Sequence, residues 1–240
     1  MGLLKLFALG LIAVGTLSPI APLPEGSCAV ESVEITWGFK ESFRSYISGS
    51  LATGEWLVSG DVAYATPSFT ITGGEGHILA DRSSGDVAFA GQMRFVGHGG
   101  ILDTAVSSPR LVFEGPRQAT LFFDVVGDTM EEVAVSERDV PFVTVEWEGS
   151  QSDLDAASGT WKVGAARTTL SAEGSDAFGT YPEGEEMDPL SFVLTVAPEC
   201  LDAETAVGPL LVGAVGVAVI GAGTAVVISR VRRSRGPGRQ

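Results

Sequence analysis

Apolar residues at Phe39, Phe43 and Ile47 recur at helical spacing, whereas Val87, Phe89, Met93 and Phe95 recur at every second or fourth position, as on one face of a strand. At about 100° per residue the first set falls on one side of a wheel. Lys40, Glu41, Arg44, Ser45 and Ser48 fall on the other, which predicts a short amphipathic helix with Lys40 and Arg44 as solvated charges. With Phe39 at zero, Tyr46 lies at about −20° and Ser42 at about −60°, so the phenol points with the apolar stripe. Thr36 is placed to cap the start and Gly49 to close the end of an element of about three turns. A phenol so aimed is either a core tyrosine bonded to a backbone carbonyl or a group held for chemistry.

From residue 50 to 127 the pattern is that of successive strands. Trp56 to Ala65 alternates loosely, Phe69 to Thr72 is short and β-prone, and Thr72 to Gly76 is a turn, with His77 following it among glycines. The cleanest alternation runs from Val87 to Val96 and enters Gly97-His98-Gly99-Gly100, where period two places His98 beside Val96. Residues 101–106, 109–114 and 118–126 are strand-like, with a turn at Glu114 to Arg117. Asp128 to Asp139 is acidic and without period. Val140 to Glu148 is a strand, Gly149 to Ser158 a polar loop, Gly159 to Ser171 half of a hairpin, Ala172 to Asp188 an acidic, Gly-rich excursion holding Tyr181, and Ser191 to Val196 a last strand. The class expected is mainly β and antiparallel, with one or two short α-helices.

Both ends of the chain have another character. Residues 1–21, with Lys5 ahead of the apolar run Leu6 to Leu17, have the form of an export signal. Glu25-Gly26-Ser27-Cys28 lacks the apolar residue of a lipoprotein cleavage site, so no lipid is expected on Cys28. Residues 206–229 form an uncharged run of 24 residues, long enough for a transmembrane helix, and residues 230–240 carry five arginines and no acid. That asymmetry predicts a single-pass protein of the cell membrane, with residues 28–203 as an extracytoplasmic domain and a short basic cytoplasmic tail. Residues 28–205 hold 29 acids and nine Lys or Arg, a formal charge of −20, which excludes nucleic acid as partner. Cys28 and Cys200, the only cysteines, bracket this domain; outside the cytoplasm a disulfide between them is expected over a pair of free metal-binding thiols.

Three separated stretches, Trp37 to Ile47, then Gly97-His98-Gly99-Gly100-Ile101-Leu102-Asp103 leading to Ser108-Pro109-Arg110, then Tyr181 ahead of Met187-Asp188-Pro189-Leu190-Ser191-Phe192, resemble the HtaA domain. This is the haem-binding module of actinobacterial cell-surface haem-uptake proteins, and the likeness covers roughly residues 33–197. The resemblance implies Tyr46 as the axial ligand of haem iron and His98 as hydrogen-bond partner of its phenolate. It implies Ser42 and Tyr181 as contacts of the haem propionates. His77 is the rival histidine.

Elementary chemistry agrees with that assignment. A phenolate is a hard anionic donor suited to ferric iron, and a phenol, which ionises in water near pH ~10, needs the metal and a donor hydrogen bond to ligate at neutral pH. The glycines around His98 leave room for a flat macrocycle. The expectation is a non-enzymatic carrier of ferric haem b that receives it outside the cell and passes it to another surface haem carrier or a membrane haem importer. The competing expectation is a haem-free adhesion or scaffold module on the same fold.

Overall fold

A computed structural model describes residues 23–128 and 134–202 of the chain. The chain divides into two units, Met1–Thr205 and Ala206–Gln240, and all described residues belong to the first. The expected signal peptide, transmembrane helix and basic tail lie outside the described residues, among which no helix is long and apolar enough to cross a membrane.

The order of elements begins with β1 (Ser27–Trp37) and α1 (Glu41–Ser48), then β2 (Glu55–Gly60), β3 (Val62–Ala65), β4 (Ser68–Ile71), β5 (Glu75–Leu79), β6 (Gly85–Ala88) and β7 (Gly91–Gly97). A 3-10 turn, His98–Gly100, leads to β8 (Leu102–Gly115), β9 (Gln118–Asp128) and β10 (Ala134–Glu146). After a second such turn, Gly149–Gln151, come β11 (Ser152–Asp155), β12 (Thr160–Leu170), α2 (Ala172–Phe178) and β13 (Leu190–Val196). Among the described residues every strand pair is antiparallel. β1, β13, β12, β10, β9, β8, β6 and β5 pair in succession, and β5 returns to β1, so the pairing closes a ring. Closure leaves few open edges on a sheet of this size. The β3–β4 hairpin extends from the end of β1, and β7 with β2 from the first half of β8.

Inward residues of the ring form one core in which Trp37, Phe39, Phe43, Phe95, Phe113, Phe123, Phe142, Trp161 and Phe192 are fully buried. The alternation at Val87, Phe89, Met93 and Phe95 does bury one face, but across two strands. The break at Phe89–Ala90 lies opposite Ser108–Pro109, where the β8–β9 register shifts between Ser107 and Arg110. Pro109 has no N–H to give, and Ser108 takes a left-handed φ of 52°, so β8 bends. β7 accordingly pairs with residues 102–107 and β6 with residues 110–113.

Three other expectations are corrected, two by long-range pairing and one by local capping. Glu75–Leu79, read partly as turn, is β5 because it pairs with both β6 and β1. Ser152–Asp155, read as loop, is β11 because it pairs with β12. Within the acidic excursion, α2 forms because Ser171 Oγ accepts the Gly174 N–H at 2.8 Å and Gly179 adopts the left-handed conformation that ends a helix.

The first helix is shorter than the wheel predicts and starts later. Thr36 is not a cap but a residue of β1, paired with Ser191 and Thr70. Phe39, at φ 63°, turns the chain out of the strand, a conformation rare for a bulky residue. It is held there by the rings of Trp37, Phe43, Phe95, Phe142 and Phe178, with centroids 5.0 to 5.9 Å away. Lys40 occupies the cap position and has no side-chain oxygen, so the Asp188 carboxylate, brought from the far end of the chain, accepts the Glu41 N–H at 2.8 Å. Gly49 does close the helix, its N–H bonded to the Tyr46 carbonyl at 3.2 Å.

Candidate functional site

α1 buries Phe43 and Ile47 against the core, and this seats Tyr46, one turn after Ser42, half-buried at the margin of that face. Beyond α1 the chain doubles back: Thr53 N–H bonds the Gly49 carbonyl and Gly54 N–H the Ile47 carbonyl, both at 2.8 Å. Gly54 lies so close to β7 that a Cβ there would sit 2.1 Å from the Val96 carbonyl oxygen. The His98 N–H then donates to the Ala52 carbonyl at 2.7 Å, fastening the turn after β7 to the segment after α1.

Tyr46 and His98, 52 residues apart in sequence, meet as a result. The phenol oxygen hydrogen-bonds His98 Nε2, and the ring centroids are 5.7 Å apart at 49°. Two protonation states satisfy the contact: a phenol donating to the bare ring nitrogen, or a protonated ring nitrogen donating to a phenolate. His98 itself has φ 53°, followed by Gly99 and Gly100 at 66° and 100°. A Cβ on either glycine would meet nothing within 4 Å, so the turn borders open space. Leu51, 77% exposed, and Ile101, 58% exposed, stand on the two segments that carry the pair.

Ser42, one helical turn before Tyr46, bonds the Tyr181 hydroxyl at 2.9 Å. Tyr181 is fixed rather than free in an acidic loop. Its ring stacks on Phe178 at 6.3 Å and 18°, and its carbonyl accepts the Ser175 hydroxyl at 2.7 Å. Beyond it, Gly184 N–H donates to the Leu170 carbonyl and Leu170 N–H to the Glu185 carbonyl, both at 2.9 Å, tying the excursion to the end of β12. The four site residues expected from sequence are therefore joined in two hydrogen-bonded pairs, each with one member on α1.

Lys40 and Arg44 are not solvated helix charges. Arg44 is only 8% exposed, and its guanidinium reaches Asp188 Oδ2 at 2.9 Å. Burial works against that charge, but the Asp188 carboxylate and the Tyr64 hydroxyl more than offset it and hold the group above its ordinary value. Lys40 precedes the first turn, with φ −150°, so the wheel does not govern it. Its ammonium lies 2.6 Å from Glu185 Oε1 and 5.5 Å from the centroid of the Tyr181 ring. His77 lies in β5, paired with Ala29 and Asp86. Ala29 is at the opposite end of β1 from α1, which separates His77 from Tyr46 by most of a strand. Cys28 and Cys200 are joined as a disulfide, with Cα atoms 5.8 Å apart.

Asp188 stands inside the last of the three motifs, and its role is set by contacts far from it in the chain. Its carbonyl accepts from Trp37 Nε1 at 2.7 Å and Thr168 Oγ1 at 2.8 Å, its N–H donates to the Phe39 carbonyl at 2.9 Å, and its carboxylate holds Glu41 and Arg44. Gly38 must be glycine beside it, since a Cβ would fall 2.2 Å from Asp188 Oδ2. No local pattern signals a carboxylate that acts 147 residues away.

Such an arrangement defines a class: a closed antiparallel β domain whose first helix presents a tyrosine, paired with a turn histidine, at an open and apolar-rimmed margin. The family model described as Htaa matches residues 32–193, and the chain belongs to the HtaA family. Among solved structures it is similar to the C-terminal domain of HtaA from Corynebacterium glutamicum, at 30% identity and a TM-score of 0.64, over 71% of this chain and 99% of that one. The N-terminal domain of the same protein is 28% identical with a TM-score of 0.59, over 70% of this chain and 98% of that one. Heme binding protein HtaB of that organism shares the fold, at 22% identity and a TM-score of 0.53, over 70% of this chain and 96% of that one. No curated protein matches the chain.

Proposed function

We propose that this protein binds ferric haem as cargo, with Tyr46 as the axial ligand, His98 as the partner that favours its ionised form, and Ser42 and Tyr181 as hydroxyl contacts for the propionates. The observation that carries the reading is the Tyr46–His98 hydrogen bond at an open margin. A tyrosine already paired with an imidazole has a group beside it that can take its proton or stabilise its anion. Exposed Leu51 and Ile101 supply apolar surface that a macrocycle would cover. Gly99 and Gly100 leave its approach unobstructed. A phenolate selects the ferric form, the oxidation state met outside a cell. HtaB, which shares the fold, is itself described as heme binding.

The reading extends to place and partner. Residues 206–229 anchor the domain in the cell membrane as a single helix, with residues 1–21 as export signal and the arginines of residues 230–240 on the cytoplasmic side. Haem bound by one tyrosinate is then relayed to another surface carrier or to a membrane importer, and no catalysis is assigned to the site.

The test is an absorbance titration of the purified full chain in detergent with ferric haem, beside Tyr46→Ala and His98→Ala. The expected result is a saturable spectrum of phenolate-ligated ferric haem, abolished by Tyr46→Ala and perturbed by His98→Ala. Identical titrations for all three proteins would mean adsorption to apolar surface, and would leave a haem-free scaffold as the reading.

A further inference from the structure

Lys40 stands apart from the other charges of the domain. It is the one basic group described beside the hydroxyl pair, its ammonium 5.5 Å from the Tyr181 ring whose hydroxyl bonds Ser42. Its other contacts are anionic or carbonyl oxygens: Glu185 Oε1 at 2.6 Å and the backbone carbonyl of Glu186. The side chains of Lys40 and Glu185 are 16% and 33% exposed, so the pair lies at the surface, where a competing carboxylate can reach it. A formal charge of −20 on residues 28–205 makes the approach of a dianionic porphyrin unfavourable unless one cation is set at its acidic edge.

Resting on the haem-binding reading, we propose that Lys40 is the cationic contact of a haem propionate, that Glu185 occupies its ammonium in the absence of porphyrin, and that their exchange makes the site selective for porphyrins with free carboxylates. Glu185 has the same chemical group as a propionate and so marks where such a group is received. A propionate accepting from the Ser42 and Tyr181 hydroxyls lies within a side chain's reach of Lys40, which turns on its own four-carbon stem to meet it. Released Glu185 remains tethered by its backbone carbonyl to the Leu170 N–H, so only its side chain moves. Two neutral hydroxyls fix the position of a carboxylate; the ammonium adds discrimination by charge.

The experiment compares ferric haem with its propionate dimethyl ester, which has the same macrocycle and iron and no carboxylate charge. The full chain in detergent, Lys40→Gln, Lys40→Arg and Glu185→Gln are each titrated with both ligands, and partition into micelles cancels in the ratio between proteins. Lys40→Gln is expected to weaken haem about five-fold, of the order of one surface charge pair, and to leave the diester unchanged. Lys40→Arg restores haem affinity, Glu185→Gln tightens haem about two-fold by freeing the ammonium, and high salt shrinks both effects. Equal losses for both ligands in Lys40→Gln, or unchanged ratios in all variants, overturn the role of Lys40 while a saturable parent titration keeps the haem reading intact. A parent that gives no saturable titration overturns both.

Discussion

At the scale of single residues, Asp188 decides more than the side chains it supports. Its carboxylate serves as the helix cap that Lys40 cannot provide and as counter-ion to Arg44, which is nearly buried. Removing one partner of such a pair leaves an uncompensated charge, costlier than the pair itself was favourable. Asp188→Ala is therefore expected to lower the unfolding free energy by about 3 kcal/mol, read by urea denaturation. Asp188→Asn, which keeps an acceptor for the Glu41 N–H, should lose less. A change below about 1 kcal/mol in the alanine variant would show the pair to be solvated, as exposed pairs are. Arg44 was misread in sequence for a plain reason: a wheel reports which side of a helix a residue occupies, and not whether another segment covers that side.

At the scale of elements, the site depends on how two turns are fastened. The turn that holds His98 closes the β7–β8 hairpin, where Arg94 grips Asp103 through Nε at 2.7 Å and through Nη2. The hydrogen bonds and charge of Arg94, outweighing partial burial, hold the Asp103 carboxyl below its ordinary value. A carboxyl depressed in the folded state stabilises fully above its unfolded value, about 3.9, and loses that contribution as pH falls through the folded one. Asp103→Asn is thus expected to lower the melting temperature slightly at pH 7 and to approach the parent as pH falls through the lowered folded value of that carboxyl. An offset that stays constant as the pH is lowered would assign the effect to packing instead of charge. The bend at Ser108–Pro109 illustrates the same scale: alternation is legible residue by residue, but where a strand must stop is set by its neighbour.

For the molecule as a whole, ring closure rests on a short joint. β1 meets β5 through only Ser27, Cys28 and Ala29, and the Cys28–Cys200 disulfide ties both ends of the domain at that place. Its loop spans 172 residues, so the chain-entropy account gives a stabilisation of about 5 kcal/mol. Cys28→Ser with Cys200→Ser should lower the urea midpoint accordingly, while leaving the saturated haem spectrum unchanged, because α1 leaves from the other end of β1. A spectrum altered along with the midpoint would show that closure and site are coupled.

What the sequence determined by itself was local or motif-borne. It carried the β class, the amphipathic first helix and the pairing of two lone cysteines, and it singled out Ser42, Tyr46, His98 and Tyr181 as candidates, because periodicity and three spaced motifs are properties of neighbouring residues. Only the tertiary structure decided that Tyr46 and His98 touch, that Tyr181 is held by Phe178 and by the end of β12, that Lys40 turns toward it, and that Asp188 starts the helix. Each of those depends on contacts between residues far apart in the chain. Such contacts exist only once the strands have closed their ring and the helix ends have found donors and acceptors elsewhere.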